Sequence, residues 1–184
     1  LARSERTLQE LADGLRDAVS KAQERVRRVA RRKNVAPDLG TTLTMAYVAW
    51  PDLHLVHVGD SRAYLLREGK LHRLTRDHTL AQQLVDDKAL TPEEAERSRY
   101  SHVLVNAVGG GTDELMVELH RIRLEVEDQL MLCTDGLYDM VGDAEILARL
   151  GRTGEPVETV VDGLIKAANA AGGRDNVTVV LARF

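Results

Sequence analysis

The hydrophobic period of this chain changes at Gly40, and that change restricts the fold to one that joins a long helix to sheet. Before it, Leu8, Leu11, Leu15, Ala18, Ala22, Val26 and Val29 recur at spacings of three and four, which predicts an amphipathic helix. Thr7-Leu8-Gln9-Glu10 reads as its capping box and Pro37-Asp38 as the connection after it. Beyond Gly40, Thr41–Trp50 is rich in Thr, Val and aromatics, Pro51-Asp52 is a turn and Leu53–Val58 is a second short apolar run, which predicts strands. Ala63–Arg67 and Lys70–Leu74 flank Glu68-Gly69, a two-residue hairpin turn. Leu80–Asp87 reads as helix, and Thr91-Pro92-Glu93-Glu94 opens another with a capping box and proline in its first turn. Strands follow at Leu115–Leu124 and Leu130–Thr134, then helices at Asp143–Leu150 and Pro156–Ala171. Gly172-Gly173 ends the last helix before a strand at Asn176–Phe184. Runs of strands and runs of helices, rather than regular alternation, predict an α+β fold.

The length, 184 residues, predicts one domain, residues 1–184. The longest stretches without charge, Leu39–Pro51 and Ser101–Thr112, fall short of the roughly 18–20 apolar residues that a membrane span needs. Cys133 is the only cysteine, which excludes an intramolecular disulfide or a cysteine-rich zinc site and fits a reducing, cytoplasmic setting. A net charge of −4 and 3% aromatic residues argue against nucleic acid as a partner. The basic run of Arg25, Arg27, Arg28, Arg31, Arg32 and Lys33 reads as a solvated face that complements a helix C-terminus. The first residue is Leu and no signal peptide follows it, so the chain is expected to be part of a longer one.

Three segments share one pattern, an apolar strand beside an Asp flanked by Gly or a small polar residue. They are Val56–Arg62 with Asp60, Leu130–Asp139 with Asp135 and Asp139, and Gly173–Thr178 with Asp175. Carboxylates gathered on strand ends repel one another unless a cation offsets their charge, and hard divalent ions such as Mg²⁺ and Mn²⁺ take such oxygen ligands. Taken singly, each Asp also fits a turn or a helix cap. Other chemistries lack their residues. The sixth residue after Cys133 is Asp139, where a cysteine phosphatase needs Arg, and neither a Gly-x-Ser-x-Gly elbow nor a Walker loop occurs. No two aspartates stand two apart, as an aspartyl-nucleophile phosphatase requires. Gly109-Gly110-Gly111 reads as a turn. His54 and His57 point to opposite strand faces, and His78, beside Asp77, is a loose candidate near the site.

Gly40-Thr-Thr-Leu43, Val58-Gly-Asp-Ser-Arg-Ala63, Cys133-Thr-Asp-Gly-Leu-Tyr-Asp139 and Gly173-Arg-Asp-Asn-Val-Thr178, in this order, resemble the metal-dependent protein serine/threonine phosphatases of type 2C, particularly the compact bacterial members. The resemblance runs from about Gly40 to Phe184. It implies an antiparallel β-sandwich flanked by helices on both faces, and hydrolysis of phosphoserine and phosphothreonine in protein substrates by a metal-activated water. It assigns Asp135 and Asp175 to a first Mn²⁺ or Mg²⁺ ion and Asp60, Asp135 and Asp139 to a further site, with two or three ions in a complete domain. Residues 77–107 match a flap beside the cleft.

The family pattern also has, before the long helix, a strand with an acidic ligand and an Asp-Gly-x-Gly-Gly segment. Asp13-Gly14 is followed by Leu15-Arg16 and does not replace it. The domain is therefore expected to lack its N-terminal strands, and the open sheet edges to be covered by a preceding segment or a partner chain. The alternative function is a catalytically inactive, phosphatase-like binding or regulatory module.

Overall fold

The computed structural model describes residues 2–33, 39–110 and 114–184, with backbone only for 2–8. The Pro37-Asp38 connection and Gly111 lie outside the described residues. The chain forms two compact units: Leu1–Val48, Leu53–Gly59 and His78–Ile122 make the first, and Ala49–Asp52, Asp60–Asp77 and Arg123–Phe184 the second.

The first unit joins helix α1 (Ala2–Lys33) to a three-stranded sheet of order β1-β2-β5, where β1 is Leu43–Ala49, β2 Asp52–Val58 and β5 Glu118–Arg123. The helical backbone already includes Thr7, which is therefore inside the helix and not its cap. The buried stripe of α1 also differs from the expected one. Ala18, Ala22 and Val29 are exposed, while Val19, Gln23 and Ala30 are buried. Val19 packs with Val56, Val58 and Val108, joined by Leu15, Val26, Leu43 and Met45. Burial of Gln23 is tolerated because its Oε1 accepts the Gly109 amide at 3.2 Å, and Arg27 Nε donates to the Gly109 carbonyl at 3.0 Å. The other cations of the basic run face solvent.

Within this unit α2 (Leu80–Asp86) and α3 (Pro92–Glu96) pack on each other. Thr79 caps α2 through Gln82 N, and Thr91 and Glu94 form the expected reciprocal capping box at α3. The base of this segment is closed by a Thr79↔Leu104 bridge and by Val105 N donating to His78 O at 2.9 Å. β5 starts later than its composition suggests. The Asn106 side chain accepts from Met116 N at 3.1 Å and donates to Met116 O at 2.7 Å, taking backbone groups that a longer strand would have paired.

The second unit is a four-stranded antiparallel sheet of order β4-β3-β6-β7, with β3 Arg62–Arg67, β4 Lys70–Arg73, β6 Gln129–Cys133 and β7 Val179–Arg183. Arg67 pairs with Lys70 across Glu68-Gly69, whose φ values of 49° and 72° are what a two-residue primed turn needs. Three helices follow β6: α4 (Asp135–Tyr138), α5 (Asp143–Leu150) and α6 (Val157–Ala170). Leu137, Ile146, Leu150, Val160 and Leu164 pack on Tyr64, Leu66 and Met131 to form its core. Asp128, buried in the β5–β6 connection, accepts from Arg67 at 2.9 and 2.6 Å and from Glu125 N at 2.8 Å. No helix among the described residues is long and apolar enough to cross a membrane.

Candidate metal centre

The aspartates singled out from sequence all belong to the second unit, and the register of its sheet explains their placement. Antiparallel pairing sets Cys133, the last residue of β6, against Arg62 at the start of β3 and Val179 at the start of β7. The chain just before β3, just after β6 and just before β7 therefore emerges at one end of the sheet. Those three positions hold Asp60, Asp135 and Asp175. Carboxylate oxygens of Asp60 and Asp135 lie within 4.8 Å of each other. Asp60 is buried, Asp135 half-buried, and Asp139 and Asp175 exposed.

Asp135, Asp139 and Asp175 are each tied to backbone. Asp135 opens the single turn of α4, and its Oδ1 accepts the Gly136 amide at 2.9 Å. Asp139 is the C-cap of the same turn, and its N–H donates to Asp135 O at 3.0 Å. The Asp175 Oδ1 accepts the Asn176 amide at 2.7 Å. Thr134 fastens the Asp175 loop to the end of β6. Its Oγ1 accepts from Thr178 N at 3.0 Å and donates to Asn176 O at 3.3 Å. This tie delays the start of β7 until Val179, past the expected start at Asn176. Gly136 completes the approach, since a β-carbon there would stand 2.3 Å from the Asn176 carbonyl oxygen.

Behind Asp60 lies a half-buried polar stack. The Tyr138 hydroxyl donates to the Asp60 carbonyl at 2.9 Å, and the Arg62 guanidinium lies 3.6 Å above the Tyr138 ring. Arg62 in turn donates to both Asp77 oxygens at 2.7–3.2 Å. Burial pushes the Tyr138 phenol far above its ordinary value, and the charges of Asp77, Asp60 and Asp135 push it further against the opposing effect of Arg62. Tyr138 is thus a proton donor at any working pH, and the field at its hydroxyl is that of gathered carboxylates.

These residues fit a hard divalent cation. The donors are carboxylate oxygens, their scaffold is backbone rather than long side chains, and the approach that only glycine permits at 136 brings two of the loops together. His78 does not join them as a ligand. Its Nδ1 accepts the Gly59 amide at 3.0 Å, which places the ring proton on Nε2 and leaves neither nitrogen a lone pair for a metal. His54 and His57 are not brought together: His57 clusters with His78 and Glu118, whereas His54 lies tilted against the Tyr47 ring. Sequence reasoning missed Tyr138, Arg62 and Asp77. The visible signal was a Tyr and an Arg inside the two aspartate motifs, but the stack they form is long-range.

A family profile for protein phosphatase 2C matches residues 1–84. The serine/threonine phosphatase stp of Listeria monocytogenes is 30% identical over 175 residues, covering 95% of this chain and 69% of that protein. The serine/threonine protein phosphatase PstP of Mycobacterium tuberculosis is 42% identical over 157 residues, covering 84% of this chain, yet the chain spans only 30% of that protein's length. The solved catalytic domain of PstP, in complex with 2 manganese ions, matches with a TM-score of 0.75 at 38% identity, covering 86% of this chain and 65% of that one. The antiparallel sheets with their flanking helices, the aspartates at one sheet end and these similarities lead to one assignment: the chain belongs to the protein phosphatase 2C family.

Proposed function

We propose that the protein hydrolyses phosphoserine and phosphothreonine in protein substrates with Mn²⁺ or Mg²⁺, Asp135 and Asp175 holding one ion and Asp60, Asp135 and Asp139 a further one. The observation that carries this reading is the approach of the Asp60 and Asp135 carboxylates to within 4.8 Å at the sheet end that also bears Asp175. The manganese complex of the PstP catalytic domain and the phosphatase names of both relatives support it. When bound, such ions stabilise charge on a phosphoryl group and lower the pKa of water. The chain's own part is positioning. Gly136 N–H orients the Asp135 carboxylate, Tyr138 holds the Asp60 carbonyl, and Thr134 keeps the Asp175 loop against β6. Residues 77–107 serve as a flap that controls substrate entry. The edge strand β1, with Tyr47 and Val48 exposed, is covered by a further segment or a partner chain. The single free cysteine, Cys133, fits a cytoplasmic location.

The test is hydrolysis of p-nitrophenyl phosphate and a phosphothreonine peptide by the full encoded protein with Mn²⁺. Turnover that Asp135→Ala reduces to background is expected. Absence of turnover on both substrates removes the enzyme assignment and leaves a phosphatase-like binding module.

A further inference from the structure

The geometry points to the dipeptide Asp77-His78 as a clasp that sets the position of Asp60, with His78 a positioning residue for metal binding. This rests on the reading of Asp60 as a metal ligand. Residues 74–78 run alongside residues 59–63 and bond to them almost residue by residue. Leu74 N donates to Ala63 O at 2.8 Å, and Ala63 N donates to Thr75 Oγ1 at 3.0 Å. Arg62 grips Asp77 in the half-buried pair described above. At the other end His78 N donates to Gly59 O at 2.8 Å while Gly59 N donates to His78 Nδ1 at 3.0 Å. Both backbone groups of the residue before Asp60 are therefore held by one histidine.

The histidine is itself held in one tautomer. A backbone N–H can only donate, so Nδ1 must accept. The Asn106 amide adds a second contact to Nδ1 at 2.7 Å. The proton consequently sits on Nε2, which is buried with no aligned hydrogen-bond partner and has Glu118 Oε1 3.2 Å away. Burial raises the affinity of Glu118 for a proton, but the adjacent His78 and His120 imidazoles outweigh it and keep its pKa below the usual value. The His57, His78 and Glu118 cluster is thereby a carboxylate that holds a proton in place on His78. The turn is also closely packed. Gly59 has φ +108°, and a β-carbon on it would meet Thr42 Cγ2 at 2.4 Å. Together these contacts fix the backbone from which the Asp60 carboxylate departs, as a site on strand ends requires.

The experiment is a calorimetric Mn²⁺ titration of the full encoded chain, with the thermal midpoint in EDTA measured alongside. His78→Leu removes the acceptor at Nδ1, and His78→Asn retains one there while losing the reach to Glu118. His78→Leu is expected to weaken Mn²⁺ binding at least tenfold at the step that Asp60→Asn abolishes, and His78→Asn to stay within threefold of wild type. Both variants lower the midpoint in EDTA, so affinity and stability separate. If His78→Leu does not fold, His78→Gln, whose amide reaches the Nε2 position and not Nδ1, takes its place with the same expectation. Equal affinity in all variants, or an affinity loss that follows the midpoint in both, overturns the clasp alone. A wild-type chain that binds no Mn²⁺ overturns the metal reading and the clasp with it.

Discussion

A β-carbon on Gly136 would lie 2.3 Å from the Asn176 carbonyl oxygen, and the obstructing atom is backbone that no rotamer can move. Gly136→Ala is therefore expected to cost about 1–3 kcal/mol and to weaken Mn²⁺ binding by parting the Asp135 and Asp175 loops. Urea unfolding with and without Mn²⁺ checks both effects. Cys133 supplies a pH test. Burial pushes its thiol up to about 12, whereas an unfolded thiol ionises near about 8.5. Because the native state keeps the proton that the unfolded state gives up, this contribution to stability is whole below the unfolded value. It falls as pH rises from about 8.5 towards the native value, by up to ~1.4 kcal/mol per pH unit. Unfolding midpoints between about pH 8.5 and 10 are expected to decline more steeply for wild type than for Cys133→Ala. Burial also raises Tyr64 and Tyr138, which add to the decline at higher pH.

At the scale of elements, local signals carried far. The Thr91 and Glu94 side chains make the reciprocal bonds their spacing predicts, at 3.2 and 2.8 Å. Thr91→Ala should loosen α3 by ~1 kcal/mol. Hydrogen exchange should quicken over Ala95–Arg97 while the global unfolding midpoint stays close to wild type, since α3 is short and mostly exposed. The hairpin at Glu68-Gly69 and helix α5 fall where their residues place them, because turn sign and helical period are local properties. Where expectation and structure differ, a long-range bond intervenes. Asn106 shortens β5, Thr134 delays β7, and the Gly109 amide makes Gln23 a buried residue of α1 in place of Ala22. Apolar periodicity cannot foresee a buried glutamine, since its burial depends on a partner 86 residues away.

For the molecule as a whole, a cation that binds only the folded chain stabilises it by mass action. Mn²⁺ at a hundredfold excess over its dissociation constant is expected to add ~2.7 kcal/mol, and EDTA to remove it. Thermal unfolding over a series of Mn²⁺ concentrations reads this as a rising midpoint, and Asp135→Ala should flatten the series. Family membership, the α+β class and the four aspartates were all legible in the sequence, because strand-end Asp-Gly motifs and their order are written in contiguous residues. The approach of Asp60 to Asp135 was not legible. It follows from β6 lying between β3 and β7 with Cys133 opposite Arg62 and Val179, a register that joins residues far apart along the chain. The role of His78 was equally closed to inspection of the chain. A histidine after an aspartate fits a ligand, a base or a loop residue, and only the partners at its two nitrogens distinguish them. The sequence by itself determined which elements form and which residues carry acid, since period, caps and turns act between near neighbours. Only the tertiary structure decided which acids meet and which nitrogen of His78 keeps its proton, since both depend on pairings across the chain that no local pattern encodes.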